Sequence, residues 1–296
     1  FQSPAWLIPW WRAFGPGRLR TVAVRARGRL VGLAPFYVEE GERTRRLLPL
    51  GISVSDYLDV LVDPEHEGSV GPALLARLLG GDPPSVVCCE ELPPDAAALR
   101  LWGAGRPNAE PSAQSACPVL DLARAEDGLT SIVPAGRLRI LRRARYRTHR
   151  RHGRVETATR ATTLPFELFR LHGTRWTRRG EDGLFADHRV RRFHEEAAPA
   201  LMDAGLLCLY GLSVDGRQVG AYYGFSRGRR AYAYCGGFDP AFASLSPGMV
   251  LIGHAIEEAV RRGATEFHFL RGRETYKYEW GAKDRWNSRL ELRNIP

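Results

Sequence analysis

The stretch from Tyr232 to Lys283 limits the possible folds more than any other part of the chain. Arg230 to Cys235 reads as a strand that closes on the pair Gly236-Gly237. A loop follows, and Ser246-Pro247-Gly248 then opens a helix, with serine as N-cap and proline at the first helical position. Met249, Ile252, Ile256, Ala259 and Val260 recur at helical spacing, so one face of that helix is apolar. Gly263 stops it, and Thr265 to Leu270 reads as a further short strand. Strand, glycine break, helix start and strand is the order in which an α/β chain turns backbone N–H groups toward an anionic cofactor. The chemistry is expected here.

Earlier in the chain the pattern predicts an α+β arrangement. Ser3-Pro4 opens a short helix, and Trp6, Trp10 and Trp11 are expected to pack. Leu19–Arg25, Leu30–Glu39, Arg45–Leu50 and Asp56–Val62 read as strands, Glu67–Leu79 as a helix and Ser85–Glu90 as a strand. Turn-forming residues thicken between Leu92 and Pro118, which reads as the rim of this first half. In the second half, Pro165–Arg175 and His188–Ala204 read as helices. Leu206–Val214 and Gln218–Ser226 are strands joined at Asp215-Gly216, a hairpin signal. The expected division is 1–130 and 131–296.

Bulk properties exclude some classes. No apolar run approaches the roughly 20 residues that span a bilayer, so no transmembrane helix is expected. The five cysteines are odd in number and form no C-x-x-C, which argues against a disulfide framework or a metal site and for a reducing cytoplasm. The net charge is +10, and Arg137–Arg154 alone holds nine arginines and no acid. That strip is either a solvated helix face or a contact for nucleic acid, a nucleotide-linked substrate or acidic head groups.

Several motifs together resemble a known family: FQSPAWLIPWW, SDYLDVLV, RLRILRRARYR, LHGTRW, LYGLSVDGRQVGAYYGF, GGFDPAF…LSPGMVLIGHAIEEA and FLRGRETYKYEWGAK. They are similar to the CelD/BcsL-type acetyltransferases, in the FemAB-like, double-domain branch of the GNAT superfamily. The resemblance implies an α/β sandwich of two tandem GNAT-like domains facing a cleft, with the last strand returning to the first domain. It implies acyl transfer to an amine or hydroxyl, the donor being acetyl-CoA or another acyl-CoA, or else aminoacyl-tRNA, with tRNA meeting Arg137–Arg154. Polysaccharide biosynthesis is the associated setting. Two departures stand out: His268 where relatives carry an acid, and Ser246-Pro247-Gly248 in place of a glycine-rich pyrophosphate loop.

Each candidate residue has a bland reading beside its functional one. The N–H groups of Gly248, Met249 and Val250, after Ser246, can hold a phosphate or simply begin a capped helix. Gly236 and Gly237 can allow a bulge whose freed N–H polarises a carbonyl, or form a plain turn. In Arg271-Gly272-Arg273-Glu274-Thr275-Tyr276-Lys277, Lys277 is the expected charge stabiliser and Glu274 the proton acceptor. Arg271 and Arg273 suit phosphate, against the alternative of a surface ion-pair cluster. Asp56, Tyr57, Arg175, Trp176 and Tyr234 are the expected acceptor contacts. His254 is expected on the exposed face of its helix, His268 as a structural histidine, and Cys235 as a poor nucleophile.

Overall fold

The computed structural model describes all residues except 43, 82, 104–108, 110, 126, 161–166, 172, 174–182, 184 and 294–296. Of the expected helix 165–175, residues 167–171 and 173 are described and are helical, whereas the candidates Arg175 and Trp176 lie outside the described residues. The chain forms two compact units. One comprises Phe1–Ala116 with the residues from Arg285 on; the other is Cys117–Asp284.

The first unit opens with α1 (Pro4–Phe14), which buries Trp6 and Trp10 and ends at Gly15 in the left-handed region, φ 38°. Next come β1 (Arg18–Leu19), β2 (Val22–Ala26), β3 (Arg29–Ala34) and β4 (Phe36–Glu40). The strand expected over 30–39 is therefore two, divided at Pro35, which has no N–H to offer a ladder. The halves go to different sheets: β3 pairs with β2 and β6 (Leu61–Val62), and β4 with β1 and β5 (Arg45–Pro49). Beyond these lie α2 (Glu67–Leu79), as the sequence predicts, and β7 (Val86–Leu92).

The expected strand 56–62 shrinks to its last two residues, because side chains satisfy the backbone in place of a ladder. The Asp59 carboxylate accepts N–H groups of Val60 at 2.8 Å, Ala97 at 2.6 Å and Ala98 at 2.9 Å. Asn287 donates its amide to Asp56 O at 2.7 Å. Asn287 belongs to β14 (Lys283–Arg293), whose later residues pair antiparallel with β7. The core gathers Phe36, Leu47, Leu74, Leu78, Val87 and Trp102.

The turn-rich stretch 92–118 hides a long strand, β8 (Pro111–Asp121), which passes from the first unit into the second. The second unit continues with α3 (Ala135–His149), β9 (Arg154–Thr157), α4 (His188–Asp203), β10 (Leu207–Val214), β11 (Arg217–Arg227), β12 (Arg230–Phe238), α5 (Pro247–Arg261), β13 (Glu266–His268) and α6 (Thr275–Glu279). Its strand order is β8-β13-β12-β11-β10-β9, with β12 and β13 parallel and their outer neighbours antiparallel.

Alternation along the strands sorts side chains between the two faces. Tyr210, Tyr222, Ala231, Ala233, Phe267 and Phe269 join the core under α3 and α5. At Gly253 a Cβ would fall 2.8 Å from Leu141, so this glycine lets α3 approach α5. Burying Leu138 and Leu141 there is worth about 1.5–3 kcal/mol each. On the opposite face Tyr223 and Tyr234 meet His194 of α4, with ring centroids 5.4–5.7 Å apart among the three, and Phe225 packs on Tyr234 at 5.4 Å.

Candidate active site

Two parallel neighbours part company in the second unit. β12 pairs with β13 only at Arg230↔Glu266, Ala231↔Phe267 and Tyr232↔His268. Beyond that rung β12 runs on to Phe238, paired with β11 alone among the described residues. β13 turns toward β8 instead, where Phe269 donates its N–H to Pro118 O at 2.9 Å. Past Tyr232, therefore, no strand among the described residues pairs with β12 on the β13 side. Leu270 follows in the left-handed region, φ 62°, which is unusual for a leucine.

A bulge accompanies the split, but not where the glycine pair led us to expect it. Tyr223 pairs with Cys235 and Gly224 with Ala233, so Tyr234 is the extra residue. Gly236 and Gly237 lie in regular register opposite Tyr222 and Ala221, and the strand continues through them. The glycine that the bulge requires is Gly224, across the ladder. A Cβ there would sit 2.4 Å from Tyr232 O and 2.5 Å from the Tyr222 hydroxyl.

The helix start also differs from expectation. Ser246 does not cap α5 with its side chain; it is left-handed, φ 55° and ψ 56°, and ends the preceding 3-10 turn Pro240–Leu245. Its carbonyl accepts the N–H of Met249 at 3.1 Å and of Val250 at 3.2 Å. Pro247 has no N–H, so Gly248 supplies the one first-turn amide without a protein partner among the described residues. The start of α5 lies against β11, where a Cβ on Gly220 would meet Leu251 at 3.0 Å and Pro247 at 3.4 Å.

Lys277 does not reach outward. Only 2% exposed, it donates from Nζ to the carbonyls of Leu270 at 3.1 Å, Arg271 at 2.6 Å and Gly272 at 3.1 Å. Glu274 lies 2.9 Å away as its ion partner and is itself 57% exposed. Three carbonyls and a carboxylate occupy all three ammonium protons, so the lysine pins the loop after β13. Gly272, φ 103°, carries the Glu274 carboxylate above it, and a Cβ there would lie 2.5 Å from Oε2. Arg273 is paired with Asp284 at 3.3 Å and with the Tyr278 hydroxyl at 3.2 Å. Arg271 is half-buried beside it.

Histidines divide between the two faces. His268 is 3% exposed at the last rung before the split, its Nε2 3.0 Å from Glu266 Oε2 and its ring centroid 4.9 Å from that of Tyr232. Arg230 holds the same carboxylate at 3.0 Å. His254, expected exposed, is half-buried with its ring 4.8 Å edge-on to Tyr210, and burial lowers its pKa. His194, which the sequence did not single out, is buried among Phe185, Phe193, Tyr223 and Tyr234, and burial pushes its pKa down to about 3. Its sequence signal was a lone imidazole between Phe193 and Ala197 on the apolar side of a helix. Burial raises the Cys235 thiol far above its ordinary pKa, which leaves no thiolate to attack with. Asp56 is buried in the first unit, in the loop that Asn287 ties down, and Tyr57 is half-buried next to it.

This arrangement can be compared with known proteins. Residues 135–278 match the family model described as an acetyltransferase (GNAT) domain. No curated protein matches the sequence of the chain. Among solved structures, FemX superposes with a TM-score of 0.74 at 12% identity, covering 98% of this chain and 92% of that one. L-PGS from Bacillus licheniformis gives 0.61 at 11% identity, covering 99% and 93%. A conserved protein from Bacteroides thetaiotaomicron gives 0.64 at 11%, covering 97% and 88%. At such identities the likeness is one of fold, and it extends over both units. The chain is thus a mixed α/β protein whose residues 135–278 match a GNAT acetyltransferase domain, and that match supports an acyltransferase.

Proposed function

We propose that the chain moves an acetyl or other acyl group from acyl-CoA to an amine or hydroxyl of a small molecule or saccharide precursor, by direct attack in a ternary complex. The parting of β12 from β13 beside the start of α5 carries this reading. In this reading a thioester carbonyl lies on the side of β12 that β13 has left, where strand N–H groups stabilise the oxyanion as the carbonyl becomes tetrahedral. In this reading the Gly248 N–H meets a donor phosphate at the helix start. The acceptor approaches from the opposite face, along Tyr232, Tyr234 and His268.

The acceptor's lone pair forms the new bond to the carbonyl carbon, the C–S bond breaks, and the thiolate leaves and is protonated. His268, oriented by Glu266, is the group we assign to take the acceptor's proton. It replaces Glu274, whose carboxylate is engaged with Lys277. Lys277 and Glu274 then hold the loop that borders the gap, and Arg271 and Arg273 stay close to the donor. The CelD/BcsL-type assignment, and with it a saccharide acceptor, rests on the sequence motifs.

A second reading, aminoacyl-tRNA as donor, draws support from the Ser246 carbonyl, which occupies two of the three amides that a pyrophosphate would use. The whole-chain likeness to FemX points the same way at the level of fold. Release of free thiol from acetyl-CoA in the presence of a panel of amines and amino sugars separates the two. Acceptor-dependent release supports the thioester reading. Transfer from charged tRNA with no thiol release replaces it with the second.

His268→Gln is expected to lower kcat at least a hundredfold and leave acetyl-CoA affinity unchanged. A variant that keeps full kcat removes His268 from the chemistry.

A further inference from the structure

Eight of the nine arginines of the strip fall in three dimensions into two sets, and the ninth, Arg154, begins β9. Arg137, Arg145 and Arg151 are structural. Arg137 pairs with Glu279 at 2.5 Å and lies over the Trp280 ring. Arg145 grips both Glu257 oxygens, at 2.7 and 2.6 Å, and Arg151 holds Asp215 at 2.6 Å.

Arg139, Arg142, Arg143, Arg147 and Arg150 are exposed, and among the described residues none has a hydrogen-bond or ion-pair partner. By the 3.6-residue period these five share one face of α3 and its C-cap, opposite the buried Leu138, Leu141, Ala144 and Thr148. Tyr146, 63% exposed, sits among them, and Ile140, 44% exposed, flanks Arg147. The helix carries no acidic residue along its 15 positions, about 22 Å of length.

We infer that this outer face of α3 docks the protein on an anionic membrane surface. A face lined with guanidinium groups complements a plane of phosphate-bearing head groups, and each arginine near such a surface adds to the attraction. Tyr146 and Ile140 fit the boundary between head groups and acyl chains, where tyrosine is enriched and an aliphatic side chain leaves water. Nucleic acid suits the same ridge less well. The major groove of an RNA duplex is too deep and narrow for a helix, single strands are bound in grooves floored by several aromatics, and Ile140 gains nothing against phosphate. The inference is independent of the identity of the acyl donor.

Co-sedimentation of the full chain with vesicles tests it directly. Vesicles of 30% phosphatidylglycerol in phosphatidylcholine are expected to bind the protein, and pure phosphatidylcholine vesicles are not. Arg142→Glu with Arg143→Glu and Arg147→Glu is expected to weaken partitioning at least tenfold, and Ile140→Ser with Tyr146→Ser severalfold. Circular dichroism should show each variant folded; the pair Arg143→Gln, Arg147→Gln, which introduces no new charge, serves as the second series. Failure of the wild type to bind phosphatidylglycerol vesicles overturns the inference, as does binding that the reversals leave intact. Tighter binding of a duplex or single-stranded oligonucleotide than of vesicles, abolished by the same reversals, assigns the face to nucleic acid instead.

Discussion

Two buried basic side chains, Lys277 and His194, govern residue-scale behaviour in the second unit. Around Lys277, three carbonyls and Glu274 stand where water would otherwise be. Lys277→Met removes the charge and leaves those carbonyls unpaired, at a cost of about 1–3 kcal/mol. Chemical denaturation should register that loss; a variant as stable as the wild type would mean the loop is held by something else. His194 is the opposite case. Its folded pKa, about 3, lies below the ordinary histidine value, so the unfolded chain binds the proton first. Its contribution is fully present above the unfolded pKa and is lost as pH falls from about 6.5 toward 3, at up to about 1.4 kcal/mol per pH unit. His194→Phe, which keeps the aromatic packing, should flatten that acid limb. An unchanged slope would show that other groups set acid lability.

At the scale of elements, the split between β12 and β13 depends on a bulge, and the bulge on one glycine. A methyl at Gly224 would overlap Tyr232 O and the Tyr222 hydroxyl, both within 2.5 Å, so Gly224→Ala should destabilise by about 1–3 kcal/mol through overpacking. If the melting temperature hardly moves, the register on either side of Tyr234 is wrong. The helix start gives a second contrast. Ser246→Gly should be neutral or stabilising by up to about 1 kcal/mol, since glycine accepts φ 55° without strain and no side-chain cap is lost. A marked loss on Ser246→Gly would restore the serine to a capping role.

These elements also show what can be read from sequence. Periodicity located α2, α4 and α5 and the β10–β11 hairpin, because hydrophobic spacing and Asp215-Gly216 are local signals. It missed β8, whose prolines at 111 and 118 read as loop, and it took 56–62 for a strand although its own half-buried Asp59, tied to Ala97 and Ala98, and the distant Asn287 organise that segment. The stretch that bears the candidate site was legible. Its internal geometry was not, because the bulge requires a glycine on the neighbouring strand, and the direction of Lys277 follows from carbonyls freed by a left-handed leucine.

For the whole molecule the central claim is that the second unit accepts an acyl-CoA at the gap beside α5. Binding to the folded state alone would stabilise the protein by about 2.7 kcal/mol at a hundredfold excess over Kd, so heat of binding and melting temperature should move together. Calorimetric titration of the full chain with acetyl-CoA, at moderate salt to suppress adventitious attraction to a +10 surface, is the most direct measurement. The account predicts saturable binding at one site, with Kd in the range of about 1 μM to 1 mM typical of enzyme substrates, and a matching rise in melting temperature. Absence of both heat and stabilisation at millimolar acetyl-CoA would contradict it.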